Sequence, residues 1–369
     1  MKRVIGFLSI LIIVLIGYYL QPVLFPPAPE TKKVEHDQRM VRHKALKHQT
    51  IETEGYAEYV KQPVGKFEAK FGQPTKIEDS GFFFQTRYYS LDQGVLEVNV
   101  EAGNVSVIKV MSQNGELEPF KFGMTNRQLS EQINLSADFS LDYDEEPVVI
   151  ELSENDMRYR PLIAFKNDTF AILFFNGDSD KLIGAAYLDI ENLLRLMPYQ
   201  INSGNPLANR IQESNLDWNV LNQQKQTRLI ESINQYRMLR KLPAFQTNST
   251  AMTASKDMLK TFLTSPKKVL SQERMEEWET DQSAHLSNLS FELAPAELKK
   301  LAKTEEIDYL ASLFYSPTVD PLFSLFNWIS RDRLNELYDE PNANSLGVAI
   351  DQESVLVLIQ EPEKTKDSE

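Results

Sequence analysis

Lys2 and Arg3 precede a charge-free, predominantly apolar run from Val4 to Leu20, closed by Gln21 and Pro22. Helical rise is about 1.5 Å per residue, so such a run makes roughly 25 Å of helix, near the lower limit for crossing a bilayer. A cleavable secretory signal shares the short basic start, but it ends in a small-x-small site. Here Gly17-Tyr18-Tyr19-Leu20 runs into a proline-rich stretch, and Tyr18 and Tyr19 suit the membrane interface. The sequence therefore predicts an uncleaved anchor over residues 1–25. Lys2 and Arg3 place its amino terminus inside, because Gln21 to Pro29 carry no positive charge. The expected location is a cell membrane crossed once, with the carboxy-terminal domains extracytoplasmic. No cysteine is present, which removes disulfides, thiolate metal sites and cysteine nucleophiles from consideration.

The formal net charge is −14, unevenly spread: residues 1–50 carry a surplus of five positive charges, leaving −19 on the rest. An acidic globular portion argues against nucleic-acid binding, since phosphate contacts need a positive surface. Residues 26–62, with Pro26, Pro27 and Pro29 followed by a charged stretch, read as a stalk.

From residue 63 to 201 the pattern is short helix followed by strands. Val64 to Phe71 has helical period and stops at Gly72 and Pro74. Phe82 to Tyr89, Val95 to Glu101 and Val105 to Met111 are rich in aromatic and β-branched residues, with turn signals between them. The pattern restarts at Thr125, a predicted helix cap, with Leu129 and Ile133 on one face. Strands follow near Phe139 to Tyr143, Pro147 to Leu152, Leu162 to Lys166, Phe170 to Phe175 and Leu182 to Leu188. These segments predict a duplicated helix-plus-antiparallel-sheet domain. The turn formers Asn202-Ser203-Gly204-Asn205-Pro206 mark a boundary. A second domain is expected over 215–360, opening on a helix with Leu221, Leu229, Ile230, Ile233 and Tyr236, and closing on a hairpin of Leu346 to Ile350 with Val355 to Ile359. Residues 361–369 form a tail.

Within the second domain, Ile233-Asn234-Gln235-Tyr236-Arg237 and Leu242-Pro243-Ala244-Phe245 resemble the opening helix of the CAP superfamily (SCP-like, the cysteine-rich secretory and antigen 5 group). Met252, Ala254, Asp257 and Met258 resemble its second helix. Trp328 to Arg333 with Leu346-Gly347-Val348-Ala349 resemble its tryptophan-serine-histidine-arginine segment and the following strand. Residues 63 to 200 resemble the associated domain that precedes CAP domains in Gram-positive bacteria.

The resemblance implies an α-β-α sandwich, so the fold class expected is α+β: a transmembrane helix, the duplicated domain, then a CAP-like domain. It also implies a cleft that in many members holds two histidines and two acids, able to bind a divalent metal or relay protons. This chain departs there. One histidine position falls near Leu263 or Thr264, ahead of Ser265-Pro266, and the other is taken by Asp332 beside Arg333. His285, the one histidine of the domain, lies in a polar segment and reads as surface. Thr264, Asp332 and Arg333 therefore mark a degenerate cleft, with no catalytic residue, no metal and no cofactor expected. Glu273, Glu276, Glu277 and Glu279 offer paired carboxylates for glycan hydrolysis, at a spacing ordinary for an exposed helix face. The function expected is a membrane-anchored, extracytoplasmic binding or interaction protein with a non-catalytic CAP domain, its partner an envelope peptide, protein, lipid or wall polymer. The alternative is a cell-envelope hydrolase acting through carboxylates of the cleft.

Overall fold

The computed structural model describes residues 48–92, 94–204, 207, 216–284, 289–331, 338, 340–342 and 344–361. The apolar run Val4 to Leu20 lies outside them, as do His285, Asp332 and Arg333. Among the described residues, no helix is long and apolar enough to cross a membrane.

The first half opens with β1 (Thr50–Ile51), a 3-10 turn (Gly55–Glu58) and α1 (Val64–Phe71), followed by β2 (Lys76–Asp79), β3 (Gln85–Tyr89), β4 (Val95–Glu101) and β5 (Asn104–Met111). A short ribbon, β6 (Glu116–Leu117) and β7 (Phe120–Lys121), leads to α2 (Asn126–Gln132), β8 (Asp138–Tyr143) and β9 (Glu146–Glu151). Then come α3 (Glu154–Tyr159), β10 (Leu162–Phe165), β11 (Thr169–Phe175), β12 (Leu182–Asp189), α4 (Ile190–Leu196) and β13 (Gln200–Ser203). Two short helices are set by reciprocal caps: Thr125 with Gln128, and Ser153 with Asp156.

Both expected strand groups join one eight-stranded sheet, in the order β1-β10-β11-β12-β5-β4-β3-β2. The last long strands of the groups, β5 and β12, pair antiparallel at its middle. The expected second unit is split, however. β8 and β9 leave the large sheet and pair with β13 as a separate three-stranded sheet. The cause is burial: Phe139, Leu141, Val148 and Ile150 pack across one face of the large sheet instead of extending it. The opposite face is covered by Phe67 of α1, Leu117 and Phe120 of the ribbon, and Leu129 of α2. The predicted stalk also ends earlier than residue 62. β1 pairs with β10, and Ala57 and Val60 are buried against the sheet.

The second half runs through α5 (Trp218–Leu239), α6 (Ser249–Thr264), a 3-10 turn (Pro266–Lys268), α7 (Gln272–Ala284) and β14 (Phe291–Glu292). It continues with α8 (Pro295–Thr304), β15 (Ala311–Ser316), α9 (Pro321–Ile329), β16 (Ser345–Asp351) and β17 (Ser354–Gln360). The strand order is β14-β15-β17-β16. Alternation along these strands splits the side chains between two layers. Tyr315, Leu346, Val348, Val355, Val357 and Ile359 face Leu229, Ile233 and Tyr236 of α5 and the apolar residues of α9. Phe314, Ala349, Leu356 and Leu358 face Met258 and Phe262 of α6, Trp278 of α7 and Leu301 of α8. The result is a helix-sheet-helix sandwich.

Helix α9 belongs to both halves. Phe326 packs with its ring tilted 31° against Phe174 of β11 at 4.7 Å, and Phe323 meets the same ring edge-on at 5.9 Å. Gly184 of β12 makes room, because a Cβ there would lie 2.8 Å from the Phe326 ring.

Candidate functional site

The junction between the halves is polar at its centre. Asp320 caps α9, accepting from the Phe323 amide at 3.0 Å. Its other carboxylate oxygen accepts from Asn99 Nδ2 at 2.7 Å and is held by the Lys109 ammonium. Lys109 also lies 2.9 Å from Glu97, which in turn meets Arg228 of α5. Burial alone would raise the Asp320 carboxyl, but the Lys109 charge and the hydrogen bonds from Lys109, Asn99 and the Phe323 amide hold it below the usual range.

Lys225, also buried, donates to the carbonyls of Thr318 (2.9 Å) and Gln352 (2.6 Å) and lies 4.6 Å over the Phe82 ring. Burial pushes it down to about 7, against the pull of Glu353 and Asp320.

Phe82, Phe83 and Phe84 were expected to begin a strand. They instead form a bend before β3, and all three are buried in a cluster with Val319 and Trp218. Three consecutive rings gathered into one cluster do not follow the strand pattern, which would send successive side chains to opposite faces. Gly81, at φ +79°, turns the chain, and a Cβ there would lie 2.7 Å from the Trp218 ring.

Beside this network lies a cavity of about 310 Å³. The first half contributes Leu196 to Ile201, the turn between α4 and β13; the second contributes Tyr315, Asp320, Phe323, Ser324, Asn327 and Arg331, with exposed Ser290 at the rim. Asn327 is 8% exposed, and its Oδ1 is buried with no hydrogen-bond partner among the described residues. An orphan acceptor of this kind costs about 1–3 kcal/mol unless a donor reaches it. Arg331 is half-buried and pairs with Glu292 at 2.8 Å. Tyr199 is committed, its hydroxyl donating to the Arg160 carbonyl at 2.7 Å. Chemically the cavity offers an unsatisfied acceptor, small hydroxyls, a guanidinium at one side and aromatic walls, a set suited to a small polar molecule bearing N–H or O–H groups.

Of the residues marked by the sequence, Thr264 sits exposed at the end of α6, its hydroxyl donating to the Lys260 carbonyl at 2.7 Å. It lines a different groove, between α5 and α6, that shares no residue with the junction cavity. Arg331, the described neighbour of Asp332, lines the cavity instead. Glu273, Glu276 and Glu277 are exposed and line a third groove with Asp281. Among the described residues no group of three or more acidic or histidine side chains is placed to hold a metal ion. The quoted motif around Asn234 and Arg237 is scaffold. Asn234 exchanges hydrogen bonds with the Phe245 backbone (3.1 and 2.8 Å), and Arg237 donates to the carbonyls of Pro243, Tyr338 and Asn342.

Asn327, Ser324 and Asp320 carried a signal that sequence reasoning missed. In the apolar helix Pro321 to Ile329, Ser324 and Asn327 are three apart and share a face with the Asp320 cap.

An eight-stranded sheet packed through α5 and α9 against a helix-sheet-helix sandwich makes a two-part architecture. Residues 60–199 match the CAP-associated N-terminal family, and the half that follows has the fold of SCP, or CAP, domain proteins. One solved relative in fold is a cysteine-rich secretory protein from Staphylococcus aureus: 16% identity, TM-score 0.62, covering 86% of this chain and 99% of that one. Another is an extracellular protein containing an SCP domain from Bacillus anthracis: 17% identity, TM-score 0.63, covering 86% and 98%. No curated protein matches the chain.

Proposed function

We propose that this is a non-catalytic binding protein of the cell envelope. Val4 to Leu20 anchors it in the membrane, amino terminus inside, and the folded halves lie on the extracytoplasmic side. Its ligand is a small polar molecule with N–H or O–H donors, such as a sugar unit or short peptide, taken into the cavity between the CAP-associated and CAP-like halves. The observation that carries this reading is the buried Oδ1 of Asn327, without a hydrogen-bond partner among the described residues, in a cavity lined by both halves.

The test is calorimetric titration of neutral amino sugars and capped dipeptides against the protein and Asn327→Leu. A ligand should bind the parent, and the variant should lose about 1–3 kcal/mol of affinity. Failure of the whole panel, or equal affinity for the variant, refutes the site. Carbonate extraction of membranes checks the anchor, because deleting residues 4–20 should release the protein.

A carboxylate hydrolase is the second reading, favoured by Glu273, Glu276 and Glu277 lining one groove. It requires the purified protein to cleave envelope peptides or glycans, with alanine at Glu276 or Asp332 abolishing the activity.

A further inference from the structure

The outer edge of the second sheet carries a row of outward-facing backbone hydrogen-bonding groups, only the first part of which is paired among the described residues. β16 pairs with β17 across the two-residue turn Gln352-Glu353, so Asp351 and Ser354 form the closing hydrogen-bonded pair. Alternation then sends the N–H and C=O groups of Leu346, Val348 and Ile350 away from β17. Leu346 fixes the phase: its N–H donates outward to the Gln246 carbonyl at 2.7 Å, while the Gln246 N–H donates to the Asn344 carbonyl at 3.0 Å. Gln246 thus already adds to this edge as a parallel bridge with Ser345, before the chain turns away into α6. Val348 and Ile350 continue the row with no strand beside them among the described residues.

The space beside them is a groove of about 660 Å³ between α5 and α6. Val348 to Ile350 lie at its floor, Asn222, Gln223 and Gln226 on the α5 wall, and Thr253, Lys256 and Lys260 on the α6 wall. Along α6, Thr253 to Thr264 spans about 16 Å, enough for about five extended residues at roughly 3.3 Å each. Lys256 and Lys260 are exposed, stand one turn apart and make no ion pair among the described residues. They do so on a body with a net charge of −19 beyond residue 50. Asp351, tied to Asn222 at 3.3 Å, closes the far end with a negative charge.

We propose that this groove binds an extended acidic peptide, which adds as a strand to the β16 edge and sets its carboxylates against Lys256 and Lys260. Main-chain hydrogen bonds to Val348 and Ile350 supply affinity. The exposed Gln223 amide of α5 takes the peptide groups facing it, and the lysines select charge.

The test uses the full chain in detergent and a library of capped octapeptides. Sequences with Asp or Glu at alternate positions should be enriched, and the best of them should slow amide exchange at Val348 and Ile350 by about tenfold or more. Lys256→Glu with Lys260→Glu, two exposed sites, should weaken that peptide about tenfold or more at an unchanged melting temperature. Asn327→Leu should leave it bound as before, which separates this groove from the junction cavity. The proposal is overturned if no acidic sequence is enriched, if alternate backbone N-methylation of the peptide leaves its affinity intact, or if exchange at Val348 and Ile350 does not change.

Discussion

Replacing Lys109 by methionine isolates the electrostatics of the junction. The lysine side chain is 1% exposed and stands between the carboxylates of Glu97 and Asp320, themselves 2% and 1% exposed. Methionine fills the volume of the aliphatic stem, so the loss is chiefly the ammonium. Breaking a buried ion pair from one side costs about 3–5 kcal/mol, because an uncompensated charge stays behind. Glu97 keeps Arg228, and Asp320 keeps Asn99 and the Phe323 amide, so the lower end, about 3 kcal/mol, is expected.

The sign of the pH dependence follows from Asp320. In the parent its carboxyl is held low, so its contribution is present above the ordinary carboxylate value of about 3.9 and is lost as pH falls through the lower folded value. In the variant the main lowering charge is gone while burial remains, so the folded carboxyl is pushed up. The folded variant then binds a proton that the unfolded chain has released, and it regains stability as pH falls. Urea unfolding followed by tryptophan fluorescence should show a deficit of about 3 kcal/mol at pH 8 that narrows at pH 5. Lys109→Met with Asp320→Asn should recover about 1–2 kcal/mol of it. A deficit under about 1 kcal/mol at pH 8, an equal deficit at both pH values, or a double variant weaker than the single refutes the reasoning.

Lys225, pushed down to about 7, titrates in the folded state well below its unfolded value of about 10.4. The unfolded chain holds more protons across that window, so stability should rise from pH 7 to pH 10, and Lys225→Met should flatten this rise in chemical denaturation. Phe326→Ala should cost about 3–5 kcal/mol, read as one cooperative loss in calorimetry, because the ring packs on both sheets. Gly347→Ala should cost about 3 kcal/mol or more in urea unfolding, since its Cβ would lie 2.0 Å from the Ala251 carbonyl oxygen, which is backbone of α6 and cannot swing aside. Thr125→Ala should cost about 1 kcal/mol by the same measurement, from the lost cap of α2.

Where a decision was local, the sequence disclosed it. Thr125 caps its helix, Gly103 stands in the tight turn that pairs β4 with β5, and the runs ending in Ile350 and Ile359 pair as a hairpin. The junction was hidden because it depends on surfaces more than a hundred residues apart. In Val95 to Glu101, the polar members Glu97 and Asn99 read as the water side of a strand. They are 1% and 0% exposed, against Asp320 and Arg228. Alternation shows that a face is polar, and only the second half of the chain decides that this face is buried. The same holds for Asn327, whose orphan oxygen acquires meaning only when Leu196 to Ile201 close the other side of the cavity.

Helix α9 also sets an order on biosynthesis. The ribosome finishes β12 at Asp189 and does not begin α9 until Pro321, about 130 residues later. At roughly 5–20 residues per second, the Phe174 face of the large sheet waits on the order of ten seconds for the helix that covers it. During that interval the nascent first half presents an uncovered aromatic surface, so the step most exposed to aggregation in making this protein is the delay before its shared helix arrives.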